Sequence, residues 1–212
     1  MITIKKYNKT YSKQWDDFII KSNNGTVFQL QKFLNYHITR KFNDYSLLIM
    51  QNNKIIAVMP GAMIIDNNKK KYYSHPGTSY GGIIIQKHLS FNVLDQIIEL
   101  INNYLKQKGF HSIFLINSPS IYWEKHEETL DYLLQWHKYN IQELYISHAT
   151  NIKYCNQIDD LLSKRKKRYI VNDRQLQNFS FKQISNKKDL QTLYSLLKKS
   201  KLKFKTTPTH SL

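Results

Sequence analysis

The stretch Ser74-His75-Pro76-Gly77-Thr78-Ser79-Tyr80-Gly81-Gly82-Ile83-Ile84-Ile85 sets the strongest limit on how this chain folds. It gathers three of the six glycines and one of the four prolines of the whole sequence. A strand-like run, Lys71 to Ser74, enters it, and an apolar β-branched run, Ile83 to Ile85, leaves it. Glycine is placed where the backbone takes a positive φ or approaches something closely. A polar, glycine-rich loop between two buried strands therefore reads as a binding surface, with His75, Tyr80, Gly81 and Gly82 as candidate residues. The same residues also fit an ordinary loop or bulge, with His75 and Tyr80 merely exposed. No metal, phosphate or nucleophile pattern accompanies the loop, so it marks a place and not a chemistry.

Around this loop the apolar periodicity alternates between strand and helix. Residues 1–7 alternate as a first strand, and Ser12 is positioned to cap a helix with Trp15, Phe18 and Ile19 on one stripe. Asn23-Asn24-Gly25-Thr26 is a turn, followed by a short helix carrying Phe33, Leu34 and His37. Strands are expected over 45–51 and 54–65, joined by Asn52-Asn53, and Asp66-Asn67-Asn68-Lys69 turns the chain towards Lys71. Ser90 stands before the clearest helix, whose Phe91, Leu94, Ile97, Ile98, Ile101, Tyr104 and Leu105 keep a 3.6-residue spacing until Gly109. A strand over 111–116, a helix over 127–137 and a strand over 141–148 follow. The pattern describes a mixed α/β (α+β) sheet with helices on its faces, and a first domain over residues 1–150.

Beyond it the composition shifts. Lys164, Arg165, Lys166, Lys167 and Arg168 form one basic run, and three of the four arginines fall between 165 and 174. Residues 151–178 read as a basic connecting segment. A strand at Phe179 to Ile184 and a helix with Leu190, Leu193, Tyr194 and Leu197 on one face then start a second unit over 179–212. About thirty residues complete a strand-helix unit but not a domain, so this second unit reads as incomplete.

The chain carries 32 Lys+Arg against 15 Asp+Glu, a net charge of +17. Such a surplus favours an anionic partner, whether a nucleotide-linked substrate, coenzyme A, tRNA or an anionic membrane surface, with a solvated Lys-rich surface and no dedicated partner as the alternative. On a helix, Arg165 and Arg168 share a face suited to bidentate contact with phosphate or carboxylate, and a plain solvated connecting helix is the alternative. The single cysteine, Cys155, excludes an intramolecular disulfide or a multi-cysteine metal site, and the scattered histidines show no ligand spacing, so no metal is expected. His37, His126 and His137 fall at helix positions suited to surface or half-buried roles. P-loop, dinucleotide-binding and Gly-x-Ser-x-Gly patterns are absent. Asn117-Ser118-Pro119-Ser120 ends a strand in a second polar loop, and ligands of open α/β sheets gather at strand carboxyl ends. Asn117 thus joins the glycine loop as a cleft candidate, with turn or helix capping as its other reading. The start of the sequence has no apolar core of a signal peptide, and no run is long enough to span a bilayer, which reads as cytoplasmic.

This order of elements resembles the Fem-like acyltransferases, two-lobed members of the GNAT superfamily. The residues that carry the resemblance are Trp15 with Phe18, Gly25-Thr26-Val27-Phe28, Lys54 to Pro60, Ser74 to Gly82, Asp131-Tyr132-Leu133-Leu134, the basic segment Leu161 to Ile170, and Pro208 to Leu212. The resemblance implies a GNAT-like first lobe followed by the start of a second. It implies acetyl or aminoacyl transfer to an amine or hydroxyl of a cell-wall or surface-glycan precursor, with acyl-CoA or aminoacyl-tRNA as donor. The superfamily's pyrophosphate loop is absent here, since the glycine loop precedes a strand and not a helix. A donor site in the second lobe is then implied, with the chain inactive by itself, and no catalytic residue is carried over. The competing reading is a non-enzymatic binding module for tRNA or another polyanion.

Overall fold

The computed structural model describes residues 1–36, 41–146, 161–172, 180 and 182–208. They fall into two compact units, Met1–Leu144 and Tyr145–Leu212. His37, His148, Cys155, Arg174, Phe179 and residues 209–212 lie outside the described residues.

The first unit contains β1 (Ile2–Lys6), α1 (Ser12–Lys21), α2 (Gln31–Leu34), β2 (Leu47–Gln51), β3 (Lys54–Met59), β4 (Gly61–Asp66), β5 (Lys69–Ser74), β6 (Ile84–Ile85), α3 (Phe91–Gln107), β7 (Ser112–Phe114) and α4 (Thr129–Trp136). One sheet has the antiparallel order β1-β2-β3-β6. The other has the order β4-β5-β7, with β4 antiparallel and β7 parallel to β5. This is the mixed α/β architecture expected.

The apolar runs of β2 and β3 are buried on both faces because helices cover both sides. Side chains alternate across a strand, so consecutive residues join different cores. Leu47, Ile49 and Met59 meet the α3 stripe of Leu94, Ile97, Ile98, Ile101 and Leu105. Leu48, Met50, Val58 and Ile84 meet Trp15 and Ile19 of α1 and Leu34 of α2. The Trp15 indole N–H donates to the Gln29 carbonyl at 2.7 Å, which lets so large a polar-edged ring be fully buried. His137 Nε2 lies 2.7 Å from Asp95 Oδ1, linking the end of α4 to α3.

Both asparagine pairs turn as expected. Asn52 and Asn53 have φ of 50° and 61°, Asn67 and Asn68 of 48° and 60°, the left-handed pair that a two-residue hairpin needs. Other expectations are corrected. The strand expected over 54–65 breaks at Pro60, which has no N–H for a ladder, and the chain passes there from one sheet to the other. Ser12 opens α1 but does not cap it, since Tyr11 holds the cap position. Ser90 holds the cap position of α3, but its side chain makes no capping bond. The helix expected from Glu127 begins at Thr129, leaving His126 before it. Residues 141–146 form no strand, and Ile141, Leu144 and Ile146 stay 68–81% exposed. Alternation names a face but cannot supply a ladder partner.

In the second unit, the basic run forms α5 (Lys164–Asn172), and α6 (Lys187–Leu202) starts from Asn186, whose side chain accepts from the Asp189 N–H at 2.8 Å. The strand expected over 179–184 is not formed at its described residues, 180 and 182–184.

Candidate functional site

The parallel strands β5 and β7 hold their ladder as far as Tyr73 and Phe114. Past that point they part, and the glycine loop fills the fork. Ser74, 1% exposed, turns its hydroxyl into the gap, where Oγ accepts from the N–H of Gly82 at 3.1 Å and of Ile116 at 2.8 Å. The Gly81 N–H donates to the Ile116 carbonyl at 2.8 Å. One side chain and one returning loop thus satisfy backbone groups that a continued ladder would have paired. That is why β7 ends at Phe114, two residues short of the strand expected over 111–116.

Close approach at this fork requires glycine. Gly82 has φ of +77°, and a Cβ there would lie 2.2 Å from Asn117 Oδ1 and 3.1 Å from Asn117 Cα. Asn117 Oδ1 is buried with no hydrogen-bond partner among the described residues, and the Asn117 side chain is near enough to the Asp131 carboxylate to favour its charged form. Asp131 stands in the first turn of α4. Burial pushes its carboxyl above the ordinary value, the Asn117 amide lowers it, the Glu128 charge raises it and His126 lowers it. The carboxyl ends of β5 and β7 therefore bring together a hydroxyl, a carboxamide and an acid with an elevated pKa.

The loop itself is anchored at both ends. Thr78 Oγ1 lies 3.1 Å from the His75 carbonyl and 2.9 Å from that of Tyr80. His75 is buried, its ring edge on Phe42 at 5.3 Å, and its Nδ1 donates to the Pro76 carbonyl at 3.0 Å. A carbonyl only accepts, so in the neutral ring Nδ1 carries the hydrogen and Nε2 is the basic nitrogen. The expectation of a merely exposed His75 does not hold. Tyr80 is half-buried, its ring packing against Phe28 at 5.3 Å and lying 6.1 Å from Tyr122, and Phe28 continues to Phe33 and Tyr36. A row of rings thus borders the loop.

A second brace holds the region from the α1 side. Asn24, 1% exposed, donates to the Ile83 carbonyl at 2.8 Å and accepts from the Ile85 N–H at 2.9 Å. Asn23 bonds both backbone groups of Lys125, and Ser118 Oγ donates to the Asn24 carbonyl at 2.8 Å. The turn expected at 23–26 is therefore also a clamp between β6 and the segment after β7. The Ser118 side chain is held by this long-range bond and not by a local turn or helix cap.

His75, Tyr80, Gly81, Gly82 and Asn117 all lie in this one region of the first unit. Arg165 and Arg168 lie in the second unit on α5, where with Tyr169 and Asn172 they line a concavity. The Arg165 guanidinium sits 5.7 Å over the Tyr169 ring. Ser74 and Asp131 are the residues that sequence reasoning missed. A serine at a strand end and an acid in a helix's first turn are both common for local reasons, and no spacing sets these two apart. Among the described residues, no group of three or more His, Cys, Asp or Glu is placed to hold a metal ion, and no helix is long and apolar enough to cross a membrane.

No protein-family model matches the sequence, and no curated protein matches it. Solved structures with a similar chain trace include an aminoglycoside N-acetyltransferase in complex with CoA, at 14% identity and a TM-score of 0.44, covering 71% of this chain and 95% of that one. A ribosomal-protein-alanine N-acetyltransferase from Brucella melitensis biovar Abortus 2308 is similar at 8% identity and a TM-score of 0.45, covering 71% of this chain and 99% of that one. An aminoglycoside acetyltransferase from an uncultured soil metagenomic sample, in complex with sisomicin, is similar at 12% identity and a TM-score of 0.41, covering 71% and 97%.

Proposed function

We propose that this chain is the acceptor-binding, GNAT-like lobe of an acyltransferase. The group transferred is acetyl or aminoacyl, and the acceptor is an amine or hydroxyl of a nucleotide-linked or glycan precursor of the cell wall or surface polysaccharide. The observation that carries the reading is the fork between β5 and β7, where a parallel pair opens at its carboxyl end over Ser74, Gly82, Asn117 and Asp131. Open α/β sheets place ligands at that edge. The Fem-like resemblance of the sequence supplies the reaction class and names acyl-CoA or aminoacyl-tRNA as donor.

In this scheme the acceptor lies along Tyr80 and the glycine loop. Its nitrogen or oxygen attacks the acyl carbonyl, the new bond forms, and the bond from the acyl carbon to the thiol or tRNA oxygen breaks. The proton lost by the attacking group goes to Asp131, whose burial-raised carboxyl is a better proton acceptor than an ordinary aspartate. Arg165 and Arg168 hold an anionic group of one substrate. The location that fits this reading is the cytoplasm, where both donors are made.

A second reading rests on one observation. The unit Tyr145–Leu212 carries 15 Lys+Arg against 4 Asp+Glu, and α5 presents two guanidinium groups, a ring and an amide together. That combination also suits a binding module for tRNA or another polyanion. Calorimetric titration with nucleotide-linked amino sugars, run beside a transfer assay from acetyl-CoA or charged tRNA, separates the two. Acceptor binding without turnover is expected of this chain alone. Tight tRNA binding that is steeply salt-dependent, with no acceptor binding and no transfer, overturns the enzyme reading.

A further inference from the structure

α6 carries Leu190, Leu193 and Leu197 at spacings of three and four residues, which places them on one helical face. They are 46%, 50% and 42% exposed, and no residue of the helix is buried. Lysines occupy much of the rest of the helix and its end, from Lys187 and Lys188 to Lys203 and Lys205, with Lys201 one turn beyond Leu197 at the end of the leucine face, against a single acid, Asp189. That acid is engaged by Asn186 at 2.9 Å and by Lys182 at 3.3 Å. Past the last turn, Leu202 and Phe204 are 68% and 73% exposed.

We propose that α6 docks lengthwise on an anionic lipid surface, with the leucine face in the acyl boundary and the lysines among the headgroups. The two halves of the helix select this occupant together. A nucleic acid would engage the lysines and leave the leucines in water. An uncharged apolar groove would engage the leucines and leave the surplus charge unanswered. An anionic bilayer answers both, since lysine stems lie along the apolar boundary while their ammonium groups stay at the phosphates. This surface is independent of the fork in the first unit and of the acyl-transfer reading.

The test is co-sedimentation of the full 212-residue chain with vesicles of phosphatidylcholine, alone or with about a third phosphatidylglycerol, at physiological ionic strength. Binding to the anionic vesicles is expected, about tenfold or more above that to neutral ones. The double variant L193Q/L197Q keeps every charge and should lower that binding by about tenfold or more. Both positions are exposed, and circular dichroism checks that the helix persists. As a second measurement, an indole introduced by Leu197→Trp should be quenched by brominated acyl chains. Three results overturn the proposal: no preference for anionic vesicles, L193Q/L197Q bound as well as the parent chain, or single-stranded RNA displacing the chain from vesicles with no quenching of the introduced indole.

Discussion

Replacing Gly82 with alanine tests the fork directly, and the molecule supplies its own control. Gly82 and Gly109 share a φ of +77°, but a Cβ at Gly109 meets nothing within 4 Å, whereas one at Gly82 meets Asn117 Oδ1 at 2.2 Å. The left-handed backbone costs an alanine about 1–2 kcal/mol at either position. Gly82→Ala adds an overpacking cost of about 1–3 kcal/mol. Gly109→Ala should therefore lose about 1–2 kcal/mol in urea unfolding, and Gly82→Ala about 2–5 kcal/mol. Adding Asn117→Ala to Gly82→Ala should recover part of that difference, a coupling that a double-mutant cycle reads directly. Equal losses for the two glycines, or additive behaviour of Gly82→Ala with Asn117→Ala, would refute the close packing described at the fork.

Three further outcomes are expected. Ser74→Ala leaves the Gly82 and Ile116 N–H groups without their acceptor; it should cost about 2–4 kcal/mol and speed amide hydrogen exchange at both residues, and unchanged exchange would contradict the wedge role. Burial raises the Asp131 carboxyl above its ordinary 3.8, so the protonated form is favoured in the folded state. The stability this contributes is present below the ordinary value and is lost as pH rises through the raised one. Asp131→Asn should remove that component, so the difference in unfolding free energy between parent and variant should move in the variant's favour across that window; a difference flat with pH argues against the shift. Tyr80→Phe should weaken acceptor binding in calorimetry without changing the unfolding midpoint, since it keeps the ring contact with Phe28, and unchanged affinity discards Tyr80 from the site; Arg168→Ala, on the exposed face of α5, should lower affinity for an anionic ligand without changing the midpoint, and unchanged affinity discards Arg168 as an anion contact.

Much of this molecule was legible from its sequence, and those parts share a local cause. The two asparagine pairs turn because adjacent residues there tolerate positive φ. α3 forms where its apolar residues repeat at helical spacing, and its stripe is the face that is buried. The runs Leu47 to Met50 and Ile56 to Met59 are apolar at every position, and both faces of those strands are covered. The glycine loop was legible as a place of close approach for the same reason, since the absence of a Cβ is visible in a list of residues.

What the approach was to, only the tertiary structure decided. Ser74 reaches Ile116 across 42 positions, and Asn24 reaches Ile83 across 59. Nothing near either residue announces its partner. The same holds for Asn117 and Asp131, which read locally as a turn residue and a helix-start acid. Residues 141–146 show the converse, an alternating run that forms no strand because none of the described strands pairs with it to complete its hydrogen bonds. Helices and two-residue turns satisfy their backbone groups within a few positions, so periodicity and turn chemistry suffice to place them. A sheet, a fork in a sheet and the polar groups that brace it depend on backbone donors and acceptors from distant segments meeting in register, and that matching exists only in the folded chain.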